Sequence, residues 1–127
     1  MNESKPPETP RWAWTSWCIF FLAWTAALLT TILVDAGAAV LSKDFSFYLG
    51  KVLHVTAYAI LAYLSSRLPV TIPQRWAVLV LISFHAMATE YLQRFVGRYP
   101  SWRDVGLNHI GILIGVLVTW KKWRPDR

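Results

Sequence analysis

Four long apolar runs divide this chain, and its polar residues gather between them instead of alternating with them. The first, Trp12 to Val34, carries no charge at all. The second runs from about Val52 to Leu68, the third from after Arg75 to about Tyr91, and the fourth from about Val105 to Trp120. A hydrocarbon core about 30 Å thick takes roughly 20 mostly apolar residues per helical crossing, so the pattern predicts about four crossings. Expected spans are 12–34, 51–68, 76–93 and 104–120, the last two reaching full length only by including polar ends. Helix is expected throughout, because lipid leaves no outside partner for backbone groups and the runs are too few and too long for a closed barrel. The predicted fold class is all-α, a polytopic membrane bundle of about four transmembrane helices.

The connections fit that division. Residues 1–11 hold four charges and three of the seven prolines, and read as a tail at the membrane surface. Residues 35–50 mix Asp35, Lys43 and Asp44 with Phe45, Phe47 and Tyr48, which predicts a loop with aromatic residues at the interface. Pro69 and Pro73 close the second run, and residues 121–127 form a basic tail. Ala36-Gly37-Ala38 resembles a signal-peptide cleavage site, but the apolar run before it exceeds the 7 to 15 residues usual for such peptides.

Composition agrees with a membrane protein: of 127 residues 55% are hydrophobic and 16% charged, with no room for a second domain. Cys18 stands alone within the first run, which excludes an internal disulfide and leaves it a packing role. The net charge of +6 falls on residues flanking apolar runs, so anionic lipid head groups, not nucleic acid, are the expected partners. With four crossings, one side carries eight Lys and Arg residues, including Arg67, Arg75 and the tail residues Lys121 and Lys122, and the other carries five: Lys43, Lys51, Arg94, Arg98 and Arg103. Both termini are therefore expected in the cytoplasm. Trp12, Trp14, Trp76, Trp120 and Trp123 would form the inner aromatic belt, and Phe45, Phe47, Tyr48 and Trp102 the outer one.

The polar ends of three spans carry the candidate chemistry. Lys51, His54 and Tyr58 share one helical face, Glu90 and Gln93 another, and Asp104, Asn108, Gly111 and Gly115 a third. By the expected topology all three stripes lie at one depth, where ionisable groups most cheaply face one another or a wet cavity. Arg98, Ser101 and Arg103 lie in the loop beside them, and its arginines are the expected partners of Glu90 and Asp104.

The ordered set Lys51-x2-His54-x3-Tyr58, then Glu90-x2-Gln93-x4-Arg98-x2-Ser101-x2-Asp104-x3-Asn108-x2-Gly111-x3-Gly115, resembles the VanZ-like family of small bacterial membrane proteins, over residues 50–115. That family is named from a protein linked to resistance to the glycopeptide teicoplanin. The chain departs from its pattern at Gly50, where an acid is expected before the lysine, and at His109, where a small or hydroxyl residue is usual. The resemblance implies a multi-pass protein of the bacterial cytoplasmic membrane and supplies no reaction.

Two function classes follow. As an enzyme, the chain would use His54 or Glu90 as general base, with Asp104 orienting a partner. As a binding or accessory protein, it would hold a lipid head group, a lipid-linked envelope precursor or a partner's loop. In either class Lys51, Tyr58, Gln93, Arg98, Ser101 and Asn108 are the expected ligand-binding residues, and Gly111 and Gly115 pack helices. Arg98 offers a planar fork for a phosphate or carboxylate, whereas Glu90 and Arg98 would equally serve as a structural ion pair. His54, Glu90 and Asp104 are zinc-ligand types without the local spacing of a zinc motif, so no metal or other cofactor is expected. His85 lies roughly 140° around its helix from Glu90 and suits an interhelical hydrogen bond. Transport is disfavoured, since no second polar layer continues the pocket to the inner side.

Overall fold

The computed structural model describes residues 11–30 and 39–126. Within them the chain forms four helices, α1 (Arg11–Leu29), α2 (Lys43–Ser66), α3 (Ile72–Leu92) and α4 (Trp102–Val118), and no strand. Short 3-10 turns follow α3 at Gln93–Val96 and α4 at Trp120–Lys122. Two features of the sequence reading, the tail up to residue 10 and the segment with Asp35 and Ala36-Gly37-Ala38, lie outside the described residues.

Helix starts explain where the sequence reading needs correction. Residues 43–50 are helical, not loop, so α2 begins eight residues before the expected span. Ser42 caps it, its hydroxyl accepting the Phe45 N–H at 3.3 Å, and Asp44 in the first turn complements the helix dipole. Pro73 closes the second run by opening the next helix: it sits in the first turn of α3, where its missing N–H costs nothing. Thr71 and Gln74 cap each other's backbone there in a capping box.

Side-chain bonds fix the order of helix ends. At one end Trp17 of α1 donates its indole N–H to Ser65 Oγ near the end of α2 (2.9 Å), and Trp76 of α3 donates to the Trp123 carbonyl beyond α4 (3.2 Å). At the other, Gln93 after α3 donates to the Leu28 carbonyl of α1 (3.2 Å), and Lys51 of α2 pairs with Asp104 of α4. Consecutive helices therefore run antiparallel, and α2 and α4 run parallel.

The most extensive contact is between those two parallel helices. Gly111 and Gly115 lie in it one turn apart, and any Cβ there would meet backbone. At Gly111 it would collide with the Val55 carbonyl; at Gly115 it would lie 2.5 Å from the Ala59 oxygen and 2.6 Å from the Ala62 Cβ. Gly111 against Val55 and Gly115 against Ala59 and Ala62 let the backbones touch, the usual basis of helix association in lipid. Around this seam Tyr58, Leu61, Ala62, Ile82 and Ala86 are fully buried, with Trp17 of α1 closing one flank.

Outward faces are apolar as well. Ile19, Leu22, Val80, Phe84, Leu113 and Leu117 are each more than half exposed, where a water-soluble bundle would carry polar side chains. α1 and α2 are long and apolar enough to cross a membrane, at about 28 and 36 Å. Cys18 is on this outer surface, not in packing. Trp123, by contrast, leaves the expected belt for the interior, because the turn after α4 folds it back against Trp76, their rings 5.2 Å apart. Arg75 holds that fold by donating to the carbonyls of Leu68 (3.1 Å), Val70 (3.3 Å) and Lys122.

Gly111→Ala and Gly115→Ala should each lower stability by about 1–3 kcal/mol, since the added methyl meets rigid backbone. Gly106→Ala, whose methyl meets nothing within 4 Å, should be neutral or slightly stabilising. Thermal unfolding in detergent separates them; equal midpoints for all three variants would contradict the seam.

Candidate functional site

The parallel register of α2 and α4 brings two polar pairs together just before the glycine seam. Lys51 forms an ion pair and hydrogen bond with Asp104. One turn deeper, His54 Nδ1 lies 2.8 Å from Asn108 Oδ1, with both residues buried. An amide oxygen only accepts, so Nδ1 donates, and in the neutral ring Nε2 keeps the lone pair. The ring of Trp24 stands edge-on to His54, with centroids 5.6 Å apart, and brings α1 into the site.

The loop after α3 supplies the third wall. Gly97 ends its 3-10 turn at φ 76°, a left-handed conformation that favours glycine, and the Arg98 N–H then returns to the Gln93 carbonyl at 3.1 Å. This turns Arg98 toward α1, where its Nη1 donates to the Leu28 carbonyl at 3.1 Å beside the Gln93 amide. Two donors thus satisfy one end-of-helix carbonyl. Glu90 is buried and accepts the Ser101 N–H at 2.7 Å, fixing the start of α4 from a neighbouring helix.

These bonds correct the expected pairing. Among the described residues Asp104 pairs with Lys51, not with a loop arginine, and Glu90 accepts a backbone N–H and forms no ion pair with Arg98. The reason is reach: Gly97 directs Arg98 to α1, while Asp104 faces the stripe of α2.

Above this floor lies a cavity of about 790 Å³. Of the expected site residues, Lys51, His54, Arg98, Ser101 and Asp104 line it; Glu90, Gln93 and Asn108 lie beneath as support. Tyr58 is fully buried one layer deeper and does not line the cavity. His54, Glu90 and Asp104 do not converge into a group able to hold a metal. Lys43, Phe47 and Arg103 also line the cavity, with Trp24, Ala27 and Leu28 of α1. Lys43 and Phe47 precede Lys51 by two helical turns and one, so the α2 stripe starts earlier than the sequence reading placed it. The contribution of α1 has no polar signal in the sequence.

A second polar layer lies beneath the cavity floor. Thr25 Oγ spends its hydrogen on the Phe21 carbonyl (2.7 Å), so it accepts from His85 Nε2 at 2.8 Å. His85 Nδ1 is then the acceptor for the Tyr58 hydroxyl at 3.1 Å. By the same logic His109 Nδ1 donates to the Val105 carbonyl (2.7 Å) and Nε2 accepts from Ser83 Oγ (2.6 Å). His85 thereby joins α1, α2 and α3, as its expected interhelical role requires. Buried Leu61, Ala62 and Ile82 lie beyond this layer.

A family model described as VanZ/LLP1 matches residues 10–123, almost the whole chain and well beyond the polar stripes. The chain belongs to the VanZ/LLP1 family. No curated protein and no solved structure matches it. In this VanZ/LLP1 protein the residues carrying the resemblance either line the cavity or bond and pack the helices beneath it.

Glu90→Gln keeps a carbonyl oxygen for the Ser101 N–H, so the folded yield and melting temperature should stay near those of the parent. Glu90→Leu leaves that N–H without its acceptor and should cost about 1–3 kcal/mol. A thermal melt that ranks Gln and Leu together would contradict the capping role.

Proposed function

We propose that the protein crosses the bacterial cytoplasmic membrane four times with both termini in the cytoplasm, and that the cavity is an extracytoplasmic site for the head group of an anionic lipid or lipid-linked envelope precursor. The observation that carries this reading is the lining: among the described residues, four cations, Lys43, Lys51, Arg98 and Arg103, face the single carboxylate of Asp104. Such an excess at one end of a bundle with apolar outer faces suits an anion presented at the membrane surface. The eight-to-five division of Lys and Arg supports the orientation. Arg98 is the residue best suited to grip phosphate, because its planar fork can make two parallel bonds. An envelope lipid held there would place the protein where glycopeptide antibiotics act.

Recognition is favoured over chemistry because Glu90 is committed to Ser101 and lies outside the lining. A processing role is the second reading, and one observation favours it: His54 lines the cavity with Nδ1 engaged by Asn108, which leaves Nε2 to act as a base. A purely accessory subunit binding a partner's loop would use the same residues without turnover.

Two measurements test the proposal. In a Cys18→Ala background, Ser42→Cys should react with an impermeant reagent from outside and Arg124→Cys only after permeabilisation; the reverse would place the cavity in the cytoplasm. Lipid mass spectrometry of protein purified in mild detergent should show anionic lipid enriched over zwitterionic lipid, with the enrichment reduced several-fold by Arg98→Lys. Co-purified lipid matching the bulk membrane composition would rule out head-group recognition.

A further inference from the structure

Resting on the head-group reading, we infer that the cavity selects lipids ending in a phosphomonoester or diphosphate over lipids whose phosphate is a singly charged diester. Two properties of its walls lead there. The first is charge: four cations against one carboxylate leave a formal excess of three positive charges among the described lining residues. Lys51 is already neutralised by Asp104, so the excess resides on Lys43, Arg98 and Arg103. A phosphodiester brings one negative charge to these three cations. A phosphomonoester, whose second ionisation lies at about pH 6, brings close to two at neutral pH, and a diphosphate brings more. Each cation of the lining attracts each added negative charge, so the more highly charged group gains more from the same wall.

The second property is that part of the lining is apolar. Leu28 of α1 faces the cavity together with Leu49 and Leu53 of α2, and Leu49 and Leu53 are also exposed on the outer surface of the bundle. The apolar lining is therefore continuous from the cavity to the outer surface where a lipid chain would lie. At about 790 Å³ the space exceeds what a phosphate or diphosphate fills, and it takes the head group with the first carbons of its chain. With cationic and apolar residues in one lining, the cavity fits a chain-bearing phosphate better than a free one.

Binding in detergent at about pH 8 would test this with four probes: phosphatidic acid, phosphatidylglycerol and phosphatidylcholine of identical acyl chains, and inorganic pyrophosphate. Phosphatidic acid should bind at least tenfold more tightly than phosphatidylglycerol, and pyrophosphate should compete only weakly. The ratio of the two anionic lipids should fall toward one in a Lys43→Gln, Arg103→Gln double variant, both sites being exposed and away from the helix seam. Equal affinity for the two anionic lipids, with phosphatidylcholine weaker, would overturn this inference and leave the head-group reading standing. Equal affinity for all three lipids would overturn both. Pyrophosphate binding as tightly as phosphatidic acid would overturn the role of the apolar wall, and an unchanged ratio in the double variant would overturn the role of Lys43 and Arg103.

Discussion

The approach of α2 and α4 at Gly111 and Gly115 is the constraint on which the rest of the structure depends. Parallel helices that touch backbone to backbone cannot slide past each other, because Val55, Ala59 and Ala62 leave no space for any other register. Partners therefore advance together along both helices: Lys51 with Asp104, His54 with Asn108, Val55 with Gly111, Ala59 with Gly115. A one-residue rotation of either helix would separate both polar pairs and place side chains in the seam. The seam thus makes the local geometry of the cavity floor a consequence of packing, with no need for the polar residues to find one another unaided.

Polar residues elsewhere in the bundle act as ties between particular helices. Trp17 with Ser65 joins α1 to α2, His85 with Thr25 and Tyr58 joins three helices, and Ser83 with His109 joins α3 to α4. In lipid such bonds contribute about 0.6–2 kcal/mol each, enough to orient α1, which lacks a glycine seam of its own. The layer around His85 does not open a through-path, because buried Leu61, Ala62 and Ile82 lie beyond it.

The extent to which this was legible in the sequence follows from periodicity. The stripes of α2 and α4, and the packing role of the two glycines, can be read from steps of three and four residues, since a helix converts spacing into a face. The early start of α2 was also readable, from Ser42 as a cap with Asp44 in the first turn, but the charged and aromatic mixture of residues 43–50 resembles a loop when composition is weighed first. The partners of Glu90 and Asp104 were not readable. They depend on the left-handed Gly97, which sends Arg98 to the Leu28 carbonyl, and a backbone acceptor leaves no mark in a sequence. The inward fold of Trp123 is hidden for the same reason, because Arg75 holds it through three carbonyls.

The Lys51–Asp104 pair then has a clear place in the electrostatics of the site. A buried ion pair seldom outperforms apolar packing once desolvation is counted, so stability alone does not account for charged groups here. At the cavity edge the pair is partly exposed, which lowers that cost, and it has a second effect: it removes one cation and the only carboxylate among the described lining residues from the field that the proposed anion would meet. Without Lys51 the Asp104 carboxylate would repel a phosphate across the same small space. Paired, the two present a nearly neutral floor next to His54, and the proposed attraction would be left to Lys43, Arg98 and Arg103. On the proposed reading, binding strength and helix registration would rest on different residues, so the loop and the early turns of α2 could change their charge while the α2–α4 seam stays as it is.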